Sequence, residues 1–106
     1  MTYCYWDFET RSRVPINFGT DKYMTGAEPL ICTYAVGAAP TRCWDIVSGE
    51  PMPADLAAAV ADPAVIFVAH NASFDRSVAQ RLLKLPIPAA RHHCTRVQAY
   101  SAGMPG

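Results

Sequence analysis

Asp7 and Glu9 flank Phe8 at the end of the apolar run Tyr3 to Trp6, and Asp75 closes the segment Asn71-Ala72-Ser73-Phe74-Asp75, which follows a second apolar run, Val65 to Ala69. A carboxylate just past an apolar strand stands where an α/β sheet presents ligands to a substrate. Two residues apart on a strand, Asp7 and Glu9 leave from the same face roughly 6.5 to 7 Å from each other. That is too far to share one proton and suits flanking a pair of ions. If the run ending at Ala69 is parallel and adjacent to the first, Asp75 arrives at the same sheet edge. Three oxygen donors meeting there favour hard cations, Mg²⁺ or Mn²⁺. Two such ions about 3.5 to 4 Å apart clamp the attacking and leaving oxygens of a phosphoryl displacement. One lowers the pKa of a bound water and the other stabilises the departing 3′ oxygen. The chemistry inferred is the holding of divalent ions against a nucleic-acid phosphate, with no cysteine or lysine nucleophile.

Each residue also has a plain structural explanation. Asp75, one turn into a helix, is a common helix-dipole acid; Asn71 alone is a cap, and Glu9 alone an exposed strand end. The combination, D-x-E after one strand and N-x-x-F-D after a buried one, is much harder to reach by accident.

The elements that must position these acids follow from apolar pattern and breakers. Met1 to Asp7 reads as a strand. Residues 9 to 29 hold Pro15, Gly19, Gly26 and Pro29 with no clear period and read as a long irregular excursion, a kind of loop that is usually functional. Leu30 to Val36 and Thr41 to Val47 read as strands joined by a turn over Gly37 to Pro40, hence a hairpin. Pro53-Ala54-Asp55-Leu56 opens an alanine-rich helix that Pro63 must end. The nearly unbroken apolar run Ala64 to Ala69 fits a strand buried on both faces, as in a parallel sheet. Asn71 or Ser73 then caps a helix with Phe74, Val78, Leu82 and Leu85 along one side, stopped by Pro86 and Pro88. His92 to Arg96 reads as a last short strand, and Val97 to Ala102 as the start of a helix. The order β-β-β-α-β-α-β-α predicts an α/β fold: antiparallel strands first, then crossovers on the same sheet. Residues 1–106 are expected to form a single domain.

Bulk properties narrow the function. The chain of 106 residues is 51% hydrophobic by a broad count, enough for a core without staples. The formal charge is zero, so no global field draws it to nucleic acid or anionic lipid. The charge is uneven: residues 1–75 hold all nine acids and four basic residues, formally −5, and residues 76–106 hold Arg76, Arg81, Lys84, Arg91 and Arg96 and no acid, formally +5. That end either follows a phosphate backbone or is a set of solvated or covered helix faces. Cys4, Cys32, Cys43 and Cys94 lack the C-x-x-C spacing of a zinc site. No apolar run nears the ~20 residues that span a bilayer, and Met1 leads straight into a strand without a basic leader. A reducing cytoplasm, bacterial or phage-infected, and no membrane partner are expected.

On Asp7, Glu9 and Asn71 to Asp75 the chain resembles the amino-terminal exonuclease region of phage-type family A DNA polymerases, within the DEDD superfamily of 3′–5′ exonucleases. The likeness runs on through Thr10 to Gly26, the strand ending at Val36, and Cys94-Thr95-Arg96 with the later Gly-Met-Pro-Gly. It implies a ribonuclease H-like mixed sheet, two Mg²⁺ or Mn²⁺ ions, and a single-stranded DNA 3′ end as substrate. It also implies site roles: Asp7 bridging both ions, Glu9 binding the ion that activates water, and Asp75 the ion at the leaving oxygen. Phe8 and Thr10 would lie against the terminal nucleotide and Asn71 beside the single strand, while Phe74 packs the helix on the sheet. The family also has a fourth aspartate, four residues after a tyrosine or histidine that positions water, on a late helix. After Asp75 the sequence holds no aspartate or glutamate, so the resemblance is to a domain lacking its carboxy-terminal part, weak or inactive alone. His92 and His93 open the last expected strand and are not expected to stand in for that motif.

The expected function is therefore a metal-dependent, proofreading-type 3′–5′ exonuclease. The alternative is a non-catalytic nucleic-acid-binding or interaction module on the same fold, and a third reading, a histidine- or thiol-bound zinc protein, predicts bound zinc. A polymerase domain of a parent protein is an expected partner, and self-association through surfaces uncovered by truncation is expected to be open to the chain.

Overall fold

A computed structural model of the chain describes residues 2–94. Its strands are β1 (Thr2–Ser12), β2 (Ala27–Val36), β3 (Arg42–Asp45), β4 (Val65–Ala69) and β5 (His92–Cys94), and its helices are α1 (Thr20–Thr25), α2 (Ala54–Ala61) and α3 (Ala72–Ser77). They form one mixed sheet in the order β3-β2-β1-β4-β5. β1 and β2, and β2 and β3, pair antiparallel, and β1–β4 and β4–β5 pair parallel. The α/β fold expected from the sequence is present, compatible with a ribonuclease H-like sheet. The final helix expected from Val97 and the end of the last strand lie outside the described residues.

Alternation along the strands divides the sheet into two unlike faces. Cys4, Trp6 and Phe8 of β1 share a face with Val36, Tyr34 and Cys32 of β2, their register partners. Phe67 lies opposite Cys4, and Trp44 opposite Cys32. This face carries the core, in which Leu56, Ala59 and Val60 of α2, Ala72 of α3, Val78, Ala79 and Met24 are buried with them. Trp6 packs on Phe67 and Phe8 at centroid distances of 4.3 and 4.9 Å. Tyr3, Tyr5, Asp7 and Glu9 alternate onto the opposite face and are exposed.

Two expectations need correction. β1 does not end at Asp7; it runs to Ser12, because its polar end is paired with β2, where Arg11 Nη2 meets Glu28 Oε2 at 2.7 Å. Residues 9 to 29 are consequently not one irregular excursion. They comprise the end of β1, a single 3₁₀ turn at Ile16–Phe18, α1 and the start of β2. α1 is docked by tertiary bonds: Thr10 Oγ1 and Tyr23 Oη lie 2.7 Å apart, and Ser12 Oγ donates to the Tyr23 carbonyl at 2.7 Å.

α2 ends at Ala61, before Pro63, with Arg91 folded against its last turn. The buried guanidinium donates to the carbonyls of Ala59, Val60 and Val65 at 2.9 to 3.0 Å, and also to that of Asp62. Carbonyls at a helix C-terminus lack intrahelical partners, and a cation there also meets the negative end of the helix dipole. Arg81 bonds Asp21 at 2.7 Å. Two of the five basic residues of the carboxy-terminal third are thus held by protein groups, which favours the structural explanation of the charge bias over a phosphate track.

Candidate active site

Where β4 stops, β1 goes on. β4 covers only Thr2 to Tyr5 of β1, so the later N–H groups on that edge must find partners elsewhere. Asp75 fills the first gap: its Oδ1 accepts from the Phe8 N–H at 3.0 Å. The carboxyl group stands in for the strand that is missing. α3 delivers it there because the chain turns directly from β4 through Asn71, and the Asn71 carbonyl accepts from the Asp75 N–H at 3.0 Å. Asn71 does occupy the position before the helix, but its side chain makes no capping bond, and Ser73 lies inside the helix. The entry turn is therefore held by backbone, and the exposed Asn71 side chain is not the cap expected from the sequence.

Asp75 is 2% exposed. Burial pushes its carboxyl group up to about 7 and the charges of Asp7 and Glu9 add to that rise, while the Phe8 N–H works against it. The charges of Asp7 and Glu9 thus reach Asp75 across the β1 edge. Asp7 lies opposite Thr33 and Glu9 opposite Ile31. The register then slips, pairing Thr10 with Pro29. Pro29 has no N–H to give the ladder, and the Leu30 carbonyl turns to accept from Ile46 and Val47 instead. A bulge beside Glu9 thus re-aims β1 just past the two exposed acids.

The other residues singled out in the sequence take varied places. The Phe8 ring points into the core, 4% exposed, so this residue contributes its N–H at the site. Thr10 is half-buried and bonded to Tyr23. Phe74 is half-buried against the core, its ring 6.0 Å from that of Tyr23, as a packing residue should be. After α3 the chain widens into a π-helical turn, Val78–Leu82, with the Leu83 N–H reaching the Val78 carbonyl, and Lys84 takes a left-handed φ of 57° ahead of Pro86. His92 packs beside the rings of Trp6 and Phe67, where burial and the charges of Arg76 and Arg91 push its imidazole down to about 4. Cys4 and Cys32 are buried free thiols and Cys43 is exposed. Among the described residues no three histidines, cysteines or carboxylates already form a group able to hold one metal ion, and no helix is long and apolar enough to cross a membrane.

Sequence reasoning missed two features, the second of them beside the site. Arg91 looked like surface charge and is a buried clasp. The open sheet face carries a trough of about 320 Å³ beside Asp7; the Tyr3–Tyr5 alternation signalled an exposed aromatic face, but only the topology reveals that the described helices pack on the other side.

Over 79 residues, 74% of its length, the chain is 32% identical to a protein of Bacillus phage SP02 described as a DNA polymerase. The match spans 12% of that relative's length. No family model matches the chain, and no solved structure matches it.

Proposed function

We propose that the chain carries the metal-binding part of a 3′–5′ exonuclease that hydrolyses single-stranded DNA ends. One observation supports this above all: a buried carboxyl group, Asp75, lies under the field of Asp7 and Glu9 at the carboxyl end of a parallel strand pair. A buried acid whose pKa is raised by neighbouring carboxylates stabilises the fold poorly when ionised and suits a cationic ligand well. The donor set is all carboxylate, which fits Mg²⁺ or Mn²⁺. A group of three preformed ligands is not required, because Mg²⁺ is commonly held by one or two carboxylates together with water and substrate phosphate.

When bound, the ions supply positive charge at the scissile phosphate and a more acidic water. The protein's own residues divide the remaining work. Asp7 and Glu9 offer carboxylates on the exposed face of β1 and would hold the ions there, with Glu9 serving activation of the attacking water. Asp75 would serve the side of the leaving oxygen. Its Oδ1 is anchored by the Phe8 N–H, which fixes the group and leaves Oδ2 as a donor. Near neutral pH Asp75 is partly protonated, so cation binding releases a proton. Thr10 and Asn71 border the path of the strand. The resemblance to a phage DNA polymerase favours DNA as the polymer and a polymerase domain as the natural neighbour.

A 3′-labelled single-stranded oligodeoxynucleotide tests the reading. Mn²⁺-dependent release of 3′ nucleotides, slow in this chain and abolished by Asp7→Ala, is the expected result. Nucleotide release by a chain beginning after residue 20 would exclude it. A second reading, a non-catalytic nucleic-acid-binding module, is favoured by the absence of a preformed three-ligand group among the described residues. It predicts strand binding without turnover, even when longer versions of the chain are supplied.

A further inference from the structure

The two most exposed large apolar side chains among the described residues stand on one turn. Ile16 is 55% and Phe18 59% exposed, and both belong to the 3₁₀ turn between β1 and α1. The turn is pinned. The Phe18 N–H donates to the Pro15 carbonyl at 3.2 Å and the Gly19 N–H to that of Ile16 at 2.9 Å. On the entry side, Ser12 Oγ accepts from the Val14 N–H at 3.0 Å and donates to the Tyr23 carbonyl. Single exposed apolar residues are ordinary; a pair held out on a fixed turn is a surface. The charges around it are unevenly committed. Asp21 is paired with Arg81 and Glu28 with Arg11, each at 2.7 Å. Arg13 and Lys22 are exposed and join no ion pair among the described residues. Between Arg11 and Arg13 lies a hollow of about 250 Å³, walled also by Ser12, Gly26 and Glu28.

We propose that this turn docks an acidic, apolar segment of a partner protein, with a carboxylate of the partner in the hollow at Arg13 and its apolar side chains on Ile16 and Phe18. The argument is charge complementarity around an apolar centre. Because the neighbouring acids are already paired, the uncommitted charge on both sides of the turn is positive, Arg13 before it and Lys22 after it. An apolar centre with a charged rim is the anatomy of a protein interface. Arg13 has its whole guanidinium fork available for a bidentate bond to a carboxylate. Reach sets the spacing of the partner. Arg13 precedes Ile16 by three residues, so their backbones lie at most about 10 Å apart, and an extended partner spans that with an acid about three residues from a leucine or phenylalanine. A nucleic-acid strand fits less well, since it gains by stacking its bases and Ile16 offers no ring. A lipid surface also fits less well, because two apolar side chains anchor to it only marginally. None of these residues has a part in the proposed metal site, so either reading can fail without the other.

The test titrates the full chain into a short fluorescein-labelled peptide that alternates aspartate with leucine and phenylalanine. Two control peptides carry serine in place of the apolar residues or lysine in place of aspartate. Fluorescence anisotropy should show binding of the first peptide below about 1 mM and none of the controls. NMR should place the shifts at the amides of Arg13, Ile16, Phe18 and Lys22. Phe18→Ser should weaken binding by about 10-fold or more, the worth of one buried aromatic side chain. Arg13→Glu should weaken it by about 5-fold or more, with a difference that shrinks as salt is raised. Both residues are exposed, so circular dichroism of the variants should match wild type; Lys22→Glu repeats the charge test if Arg13→Glu does not fold. Absence of binding below about 1 mM, equal binding of a control peptide, or an affinity unchanged in both Phe18→Ser and Arg13→Glu would overturn the proposal. Oligo(dT), or vesicles containing phosphatidylserine, that bound in a Phe18-dependent way while the peptide did not would assign the surface to nucleic acid or membrane and overturn it too. So would a wild-type dimer in sedimentation that Phe18→Ser converts to monomer without loss of peptide binding.

Discussion

Replacing Asp75 with asparagine separates what this residue does for the fold from what it is proposed to do for chemistry. In the unfolded chain the carboxyl group titrates near 3.8, and in the folded protein near 7. The folded state therefore keeps a proton that the unfolded state has lost between those values. The resulting stabilisation is present below 3.8 and disappears as pH rises to 7. At 1.36 kcal/mol per pH unit, the gap of about three units makes the swing up to about 4 kcal/mol. Asparagine keeps an oxygen for the Phe8 N–H and carries no charge to bury; its added amide costs about 1 to 3 kcal/mol if it finds no partner. Against wild type, Asp75→Asn should thus gain stability steadily from pH 4 to pH 8, ending about 1 to 3 kcal/mol ahead. Urea unfolding in EDTA, read from the buried Trp6 and Trp44, measures it. Mn²⁺ at pH 7.5 should then raise the midpoint of wild type and leave that of the variant in place. A variant that loses stability by the same amount at pH 5 and pH 8 would refute the reasoning, because Asp75 would then be a satisfied structural acid.

The remaining expectations concern the core. His92 has both ring nitrogens buried without a hydrogen-bond partner, and its titration is lowered from 6.5 to about 4. The unfolded chain takes up that proton first, so stability falls by up to about 3 kcal/mol as pH drops through this window. The slope opposes that of Asp75 in wild type, emerges alone in Asp75→Asn, and should vanish in His92→Phe by urea titration at pH 4 to 7. Arg91→Met strands the carbonyls at the end of α2 and should lower stability by about 2 to 4 kcal/mol at every pH in the same assay; a loss under about 0.5 kcal/mol would show that water replaces the guanidinium.

Strands were the most legible part of the fold, because burial writes itself into them. Val65 to Ala69 is apolar throughout and lies in the sheet interior, with strands on both sides. The breakers Gly37 and Pro63 marked a turn and a helix end where both occur. Legibility failed where stability is borrowed from distant contacts. Nothing in Thr20–Thr25 has helical character of its own; six residues are too few to form a stable helix unaided, and α1 exists because Tyr23 is tied to Thr10 and Ser12. Glu9 to Ser12 looked polar and loop-like, yet pairs with β2 through Glu28. At the site, the spacing of Asp7 and Glu9 fixed their shared face, and strand adjacency brought Asp75 under their field. The burial of Asp75 was not readable, since an acid in a first helical turn is ordinarily exposed.

That burial carries the functional argument, because β1 needs only an acceptor for the Phe8 N–H beyond the end of β4. Asparagine, serine or threonine in the first turn of α3 would offer an oxygen at no charge cost, and a short extension of β4 would offer a carbonyl. A carboxyl group meets the same need while adding two penalties, desolvation and repulsion from Asp7 and Glu9, and both act only when it is ionised. A cation reverses the sign of both. It replaces the lost hydration and turns mutual repulsion among the acids into shared attraction. Relief of the penalty at Asp75 would add to ion binding in the proposed site, so at pH 8 and equal concentration Mn²⁺ should stabilise wild type more than Asp75→Asn. If Mn²⁺ stabilised Asp75→Asn as much as wild type, the strain at Asp75 would have no part in ion binding, whatever its cost to the fold.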